Sequence, residues 1–107
     1  MAELTATNDH KGEIGLAQAV AAHAYGLTLQ ELEGRGRVAA HARQVGMYLA
    51  RVALRRSLRE TGRGFGRDHK AVAHACRRIE EAREDPSFDR TVEWLASLVR
   101  RAAGVAV

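Results

Sequence analysis

The sequence predicts an all-α fold, on three observations. Apolar residues recur at helical spacing along most of the chain, and serine, threonine and aspartate capping patterns open several of those segments. No alternation of apolar and polar residues persists long enough for a strand. The expectation is a compact helical domain of about five helices that contains a helix-turn-helix.

Residues 1–12 are polar and without a period, and are expected to form a mobile tail ahead of a single domain over 13–104. Between Ile14 and Tyr25, the residues Ile14, Leu16, Ala17, Val20, Ala21 and Ala24 follow a 3.6-residue repeat, which Gly26 ends. Thr28-Leu29-Gln30-Glu31 is a capping box, predicting a short helix through Leu32. Gly34-Arg35-Gly36-Arg37 reads as a flexible basic loop. A longer helix follows from about Ala39 to Arg55, with Ala42, Val45, Leu49 and Val52 on its core stripe.

The second half is punctuated more sharply. Ser57-Leu58-Arg59-Glu60 is another capping box, opening a helix at Leu58. Gly62, Gly64 and Gly66 weaken that helix and limit it to about Phe65, and Gly66 can supply a left-handed turn. Asp68 then caps a helix from His69 to about Arg83, whose core stripe is Val72, Ala75, Cys76 and Ile79. Asp85-Pro86-Ser87 stops this helix and starts the last one, because proline fits a first turn but not a helix interior. That helix, about Ser87 to Ala102, offers Phe88, Thr91, Val92, Leu95, Leu98 and Val99 as its apolar side, with Phe88 and Trp94 as core anchors.

Composition narrows the function. A chain of 107 residues has room for one domain. It carries no phosphate-binding G-x-x-x-x-G-K-[ST] run, and its glycines over 62–66 follow no strand, so a nucleotide loop is excluded. No apolar stretch reaches the roughly 18 residues of a membrane span, and there is no charged-then-apolar leader. The single cysteine, Cys76, has no internal partner, so a cytoplasmic, nucleoid-associated protein with no membrane contact is expected. His69, His74 and Cys76 lack the four paired ligands of a structural zinc site, so neither metal nor cofactor is expected. No nucleophile–base pair or carboxylate pair stands out, and no enzymatic activity is expected.

The distribution of charge says more than the net +4. Residues 35–78 hold eleven arginines and Lys70 against only Glu60 and Asp68, a net of +10, between acidic flanks of −4 and −2. Such concentration is the footprint of a polyanion binder. It coincides with a short capped helix, a glycine turn and a longer helix with a polar start over residues 57–84, the arrangement that lays a second helix in the major groove of DNA. Arg67, Asp68, His69, Lys70 and Ala71 stand at the leading end of that second helix. His74 and Arg77 follow on the face away from Val72 and Ile79. His74 suits helix packing and phosphate contact equally.

The run Gly66-Arg67-Asp68-His69-Lys70-Ala71-Val72-Ala73-His74-Ala75-Cys76-Arg77-Arg78-Ile79-Glu80 resembles the motif G-R-D-H-[ST]-T-V-x-H-A-x-R-K-I-E. That motif marks the C-terminal DNA-binding domain of the bacterial chromosomal replication initiator DnaA. Upstream, Ala42-Arg43-Gln44-Val45-Gly46-Met47-Tyr48-Leu49-Ala50-Arg51 is similar to the family's P-R-Q-[IM]-A-M-Y-L-[AC]-[RK], and 20–32 to its V-A-x-x-Y-x-[IL]-x-x-x-x-L. The blocks keep their order over about residues 14–84.

The resemblance implies double-stranded DNA as partner and a grip on two grooves. Arg37 corresponds to an arginine the family inserts into the minor groove, with Arg35 near a phosphate. Arg43 and Gln44 correspond to the start of the helix that meets the DNA backbone, and Asp68, His69, Lys70 and Ala71 to base-reading positions. A domain of this kind is expected to occupy DNA rather than melt it, in transcriptional regulation or control of replication initiation. The departures bear on specificity: Lys70-Ala71 stands where the family has [ST]-T, and the turn holds one residue fewer. Further, His41-Ala42 replaces Arg-Pro, and Arg59-Glu60-Thr61 replaces Pro-Glu-Ile. A second reading stays open, in which the apolar residues of the last helix and of 16–29 hold a protein partner or a second copy.

Overall fold

The computed structural model describes the backbone of residues 2–104 and the side chains of residues 12–104. Six helices follow one another: α1 (Ala2–Ala24), α2 (Leu29–Leu32), α3 (Arg37–Val52), α4 (Leu58–Phe65), α5 (His69–Ala82) and α6 (Pro86–Ala103). No strand occurs among the described residues, as the sequence predicts.

Local chemistry sets most of the boundaries. Thr28 and Ser57 each close a reciprocal capping box with the glutamate three residues on, at hydrogen-bond distances of 2.8–3.0 Å. Asp68 and Asp85 cap α5 and α6, and Pro86 takes the first position of α6. Gly26, Gly66 and Gly104 stop their helices at positive φ. The helix α1 begins at Ala2, well before the apolar repeat that starts at Ile14. Alanine, glutamate and leucine favour helix, and no proline intervenes, so the helix extends beyond the half that is anchored in the core. The side chains of the expected tail up to Lys11 lie outside the described residues.

α3 is the centre of the fold, with α1, α2, α4, α5 and α6 all packed on it. Val45, Tyr48 and Leu49 of α3 form one core with Ile14, Ala17 and Ala21 of α1, Val72, Ala75 and Ile79 of α5, and Val92, Leu95 and Val99 of α6. Leu32 of α2 makes a smaller cluster with Ala22 and Ala42.

Several residues expected on apolar faces are exposed, Thr91 and Leu98 of α6 among them, and one is only partly covered. Val52 is exposed because α3 ends there and the core stripe continues instead through Ala53 and Leu54. The chain then turns through Arg55, at φ 59°. Cys76 is half-buried, at the edge of the α5 stripe, with its thiol pKa pushed up by burial. Trp94 is 65% exposed. The buried stripe of α6 is Val92, Leu95, Ala96 and Val99, and Trp94 stands off it, so its size does not make it an anchor. Phe88 packs partly against the core and lies 5.6 Å, centroid to centroid, from His41.

Candidate nucleic-acid interface

The helix-turn-helix is built from a close backbone approach. Gly66 has φ 66° and ψ 36°, the left-handed conformation that glycine adopts without a steric penalty. The chain then folds back, so that the Arg67 N–H donates to the Gly62 carbonyl at 2.8 Å. A Cβ at Gly62 would stand 2.5 Å from the Arg67 carbonyl oxygen, which makes glycine a requirement of the turn. A Cβ at Gly64 would instead meet the Ile14 side chain, so α1 seats directly on α4. The Phe65 ring covers Gly46, 3.0 Å from where a Cβ would lie, and brings α4 against α3. The three glycines therefore set the position of α4 and of the turn. The sequence shows Gly62 and Gly64 only as weak points of a helix; the contacts that require them are with distant residues.

α5 leaves this turn with its first residues outward. Arg67, Asp68, Lys70, Ala71, His74 and Arg77 are exposed, while Val72, Ala75 and Ile79 hold the opposite side in the core. The Asp68 carboxylate accepts the Lys70 N–H through Oδ1 at 3.0 Å, and the same oxygen lies 3.0 Å from Nδ1 of His69. The His69 ring therefore stands beside this carboxylate at the very start of α5. Oδ2 of Asp68 has no partner among the described residues and can accept a hydrogen bond from outside.

The basic loop lies before α3. Arg35 and Arg37 are exposed on either side of Gly36, which has φ 106°. Arg43 has a more specific place than its sequence position suggests: its Nη1 donates to the carbonyls of Leu32 and Gly34, at 2.7 and 2.6 Å. It therefore ties the end of α2 and the loop to the first turns of α3, while Nε and Nη2 stay open. Its pKa is lowered by partial burial and next by the charge of Arg67, with Glu33 opposing. Arg67 is thus close enough for its charge to act on Arg43, at the base of the loop. Gln44 is half-buried on the same turn of α3 as Arg43.

The exposed start of α5 thus follows a turn whose Arg67 acts on Arg43, the residue that braces the basic loop. His74 and Arg77 extend that exposed start along α5. Among the described residues no group of three or more histidine, cysteine or acidic side chains is placed to hold a metal ion. No helix is long and apolar enough to cross a membrane among the residues described.

Residues 15–79 match the family model of the bacterial DnaA protein helix-turn-helix. The chain belongs to this DnaA family. It is 42% identical over 89 residues to the chromosomal replication initiator protein DnaA of Symbiobacterium thermophilum, a match covering 79% of this chain and 19% of that protein. The DnaA of Caulobacter vibrioides is 43% identical, with 79% of this chain and 18% of that one covered. The chain therefore spans about a fifth of the length of these DnaA relatives. The crystal structure of a DNA replication initiation factor superposes with a TM-score of 0.84 at 25% identity, over 92% of this chain and 32% of that one. The matched span runs from α1 through α5, so it covers the helices that build the helix-turn-helix as well as its exposed face.

Proposed function

We propose that this DnaA-family domain, over residues 13–104, binds double-stranded DNA with a sequence preference and acts in the control of replication initiation or of transcription. In this reading α5 enters the major groove, the Gly34–Arg37 loop reaches the adjacent minor groove, and the role is one of binding rather than catalysis. The observation that carries it is the helix-turn-helix itself, a glycine turn closed by the Arg67–Gly62 backbone bond that leaves the polar start of α5 exposed, with Arg67 acting on the Arg43 that braces the basic loop.

Each side chain has a chemical task. Arg35 and Arg37 supply charge to the minor groove and its phosphates, where arginine is favoured when the groove is narrow. Arg43 holds that loop and offers its remaining N–H groups to the backbone, beside Gln44. Asp68, through Oδ2, suits the exocyclic amine of cytosine, and the His69 ring can donate or accept at a base edge. Lys70 can donate to guanine or to a phosphate, and Ala71 keeps a methyl for thymine contact. His74 and Arg77 lie one and two turns on, in reach of backbone phosphates.

Selection from a random duplex library, followed by titrations of the selected site against salt, tests this reading. A single preferred motif should emerge. Arg35→Ala and Arg37→Ala should each reduce the slope of log affinity against log salt by about one unit. His69→Ala should instead flatten the preference among sequences, at about 1–3 kcal/mol per lost base contact. A library with no enriched motif, together with an unchanged salt slope in both arginine variants, overturns it.

A further inference from the structure

The most exposed apolar group outside the proposed DNA face is Trp94. With Leu98, 39% exposed, it borders a groove of about 230 Å³ between α1 and α6, floored by Val20, Ala24 and Leu95. Large apolar surface of this kind marks an interaction site when it is contiguous, and tryptophan and arginine are the residues most enriched at the centres of interfaces.

The charges around this groove define what fits it. On α6, Arg90, Trp94, Leu98 and Arg101 follow one another at spacings of four, four and three, so they share one face, with an arginine at each end. Both arginines are exposed and neither forms an ion pair among the described residues. The nearby carboxylates of Asp89 and Glu93 are held by Arg83, which removes them from competition. His23 adds a further donor on the α1 side. A second copy is a poor occupant, because α6 against α6 would bring four unneutralised arginines together across an apolar seam.

We propose that the α1–α6 groove docks an amphipathic helix of a partner protein whose apolar stripe is flanked by carboxylates. The two arginines are eleven residues apart, about 16 Å along the helix axis, so the partner carries its acids about three turns apart with leucine-like residues between them. The contact is independent of the DNA face, since neither arginine nor Trp94 belongs to it.

Trp94 is the chain's only tryptophan and therefore reports occupancy directly. The probes are two synthetic helical peptides with the same leucine stripe, one flanked by glutamates and one by lysines. The glutamate peptide should shift Trp94 emission to the blue, saturably and with weakening at high salt, and should bind at least tenfold tighter than the lysine peptide. In the double variant Arg90→Glu/Arg101→Glu the preference should reverse, while duplex binding stays unchanged. Equal affinity for the two peptides, no saturable shift, or a concentration-dependent dimer that buries Trp94 without peptide would each overturn the proposal.

Discussion

Thr61 offers the sharpest test of the packing. It sits in α4 with no exposed surface, and its hydroxyl oxygen is buried without a hydrogen-bond partner. Folding removes that hydroxyl from water and returns nothing, at a cost of about 1–3 kcal/mol. Thr61→Val replaces the hydroxyl with a methyl of nearly the same size. Helix propensity hardly changes between the two residues, so neither helix formation nor shape offsets the gain. The position corresponds to the isoleucine of the family's Pro-Glu-Ile, which agrees with an apolar environment. Taking the lower end, about 1 kcal/mol, a domain of this size should melt about 4–6 °C higher. Circular dichroism at 222 nm during heating reads this directly, and urea titration should show a higher midpoint with an unchanged slope. DNA affinity should not move, because Thr61 faces the core. A melting temperature that is unchanged or lower would mean that the hydroxyl has a partner, and the reasoning would fail.

Three further outcomes follow from named contacts. Gly62→Ala should lower the melting temperature despite alanine's better helix propensity, because the new Cβ meets the Arg67 carbonyl at 2.5 Å; a loss of about 1–3 kcal/mol in urea titration, with weaker duplex binding, is expected. Tyr48→Phe removes a hydroxyl that donates to Glu80 at 2.5 Å and accepts from Arg83 at 2.9 Å, and should cost about 1 kcal/mol in the same assay while leaving the secondary structure intact. Stability should also depend on His41, whose pKa is lowered first by burial and then by the charge of Arg78. Its Nε2 shares a hydrogen bond with the Tyr25 hydroxyl at 2.9 Å. A depressed histidine is protonated first in the unfolded chain, so its contribution is present above the ordinary value of about 6.5 and is lost as pH falls below it. His41→Gln should flatten that part of the pH–stability curve, as followed by melting temperature.

What the sequence shows and what it hides divide by the range of the interaction. Thr28, Ser57, Asp68, Pro86 and Gly66 act within three or four residues, and each helix end that they predict is found close to its expected place. The stripes Val72–Ala75–Ile79 and Val92–Leu95–Val99 are equally legible, since a 3.6-residue period fixes a face without naming what covers it. Trp94, Val52 and Leu98 are exposed and Cys76 only partly covered for that same reason: each lies beside a stripe, and only the neighbouring helices decide whether a flank is covered. At the candidate interface the family pattern places the side chains in order, but it does not reveal that Arg43 braces the loop. Its bonds to Leu32 and Gly34 cross 9–11 residues of loop and helix and have no local signature.

These long-range contacts explain why the leading end of α5 can present fixed side chains. Its start is held by the Gly62–Arg67 approach and by the Asp68 cap. Its end is held just beyond Ala82, where Arg83 joins Asp89 and Glu93 of α6 to the Tyr48 hydroxyl of α3. Tyr48 also donates to Glu80, which draws that carboxylate into this clasp. A helix fixed at both ends and along Val72, Ala75 and Ile79 loses little further freedom when its exposed residues meet a ligand, and that lowers the ordering cost of recognition. The loop at Arg35 and Arg37 follows the same logic with a single tie, Arg43. Its two arginines sit on backbone anchored at its base, which, in the reading proposed above, would suit a groove whose width varies with sequence.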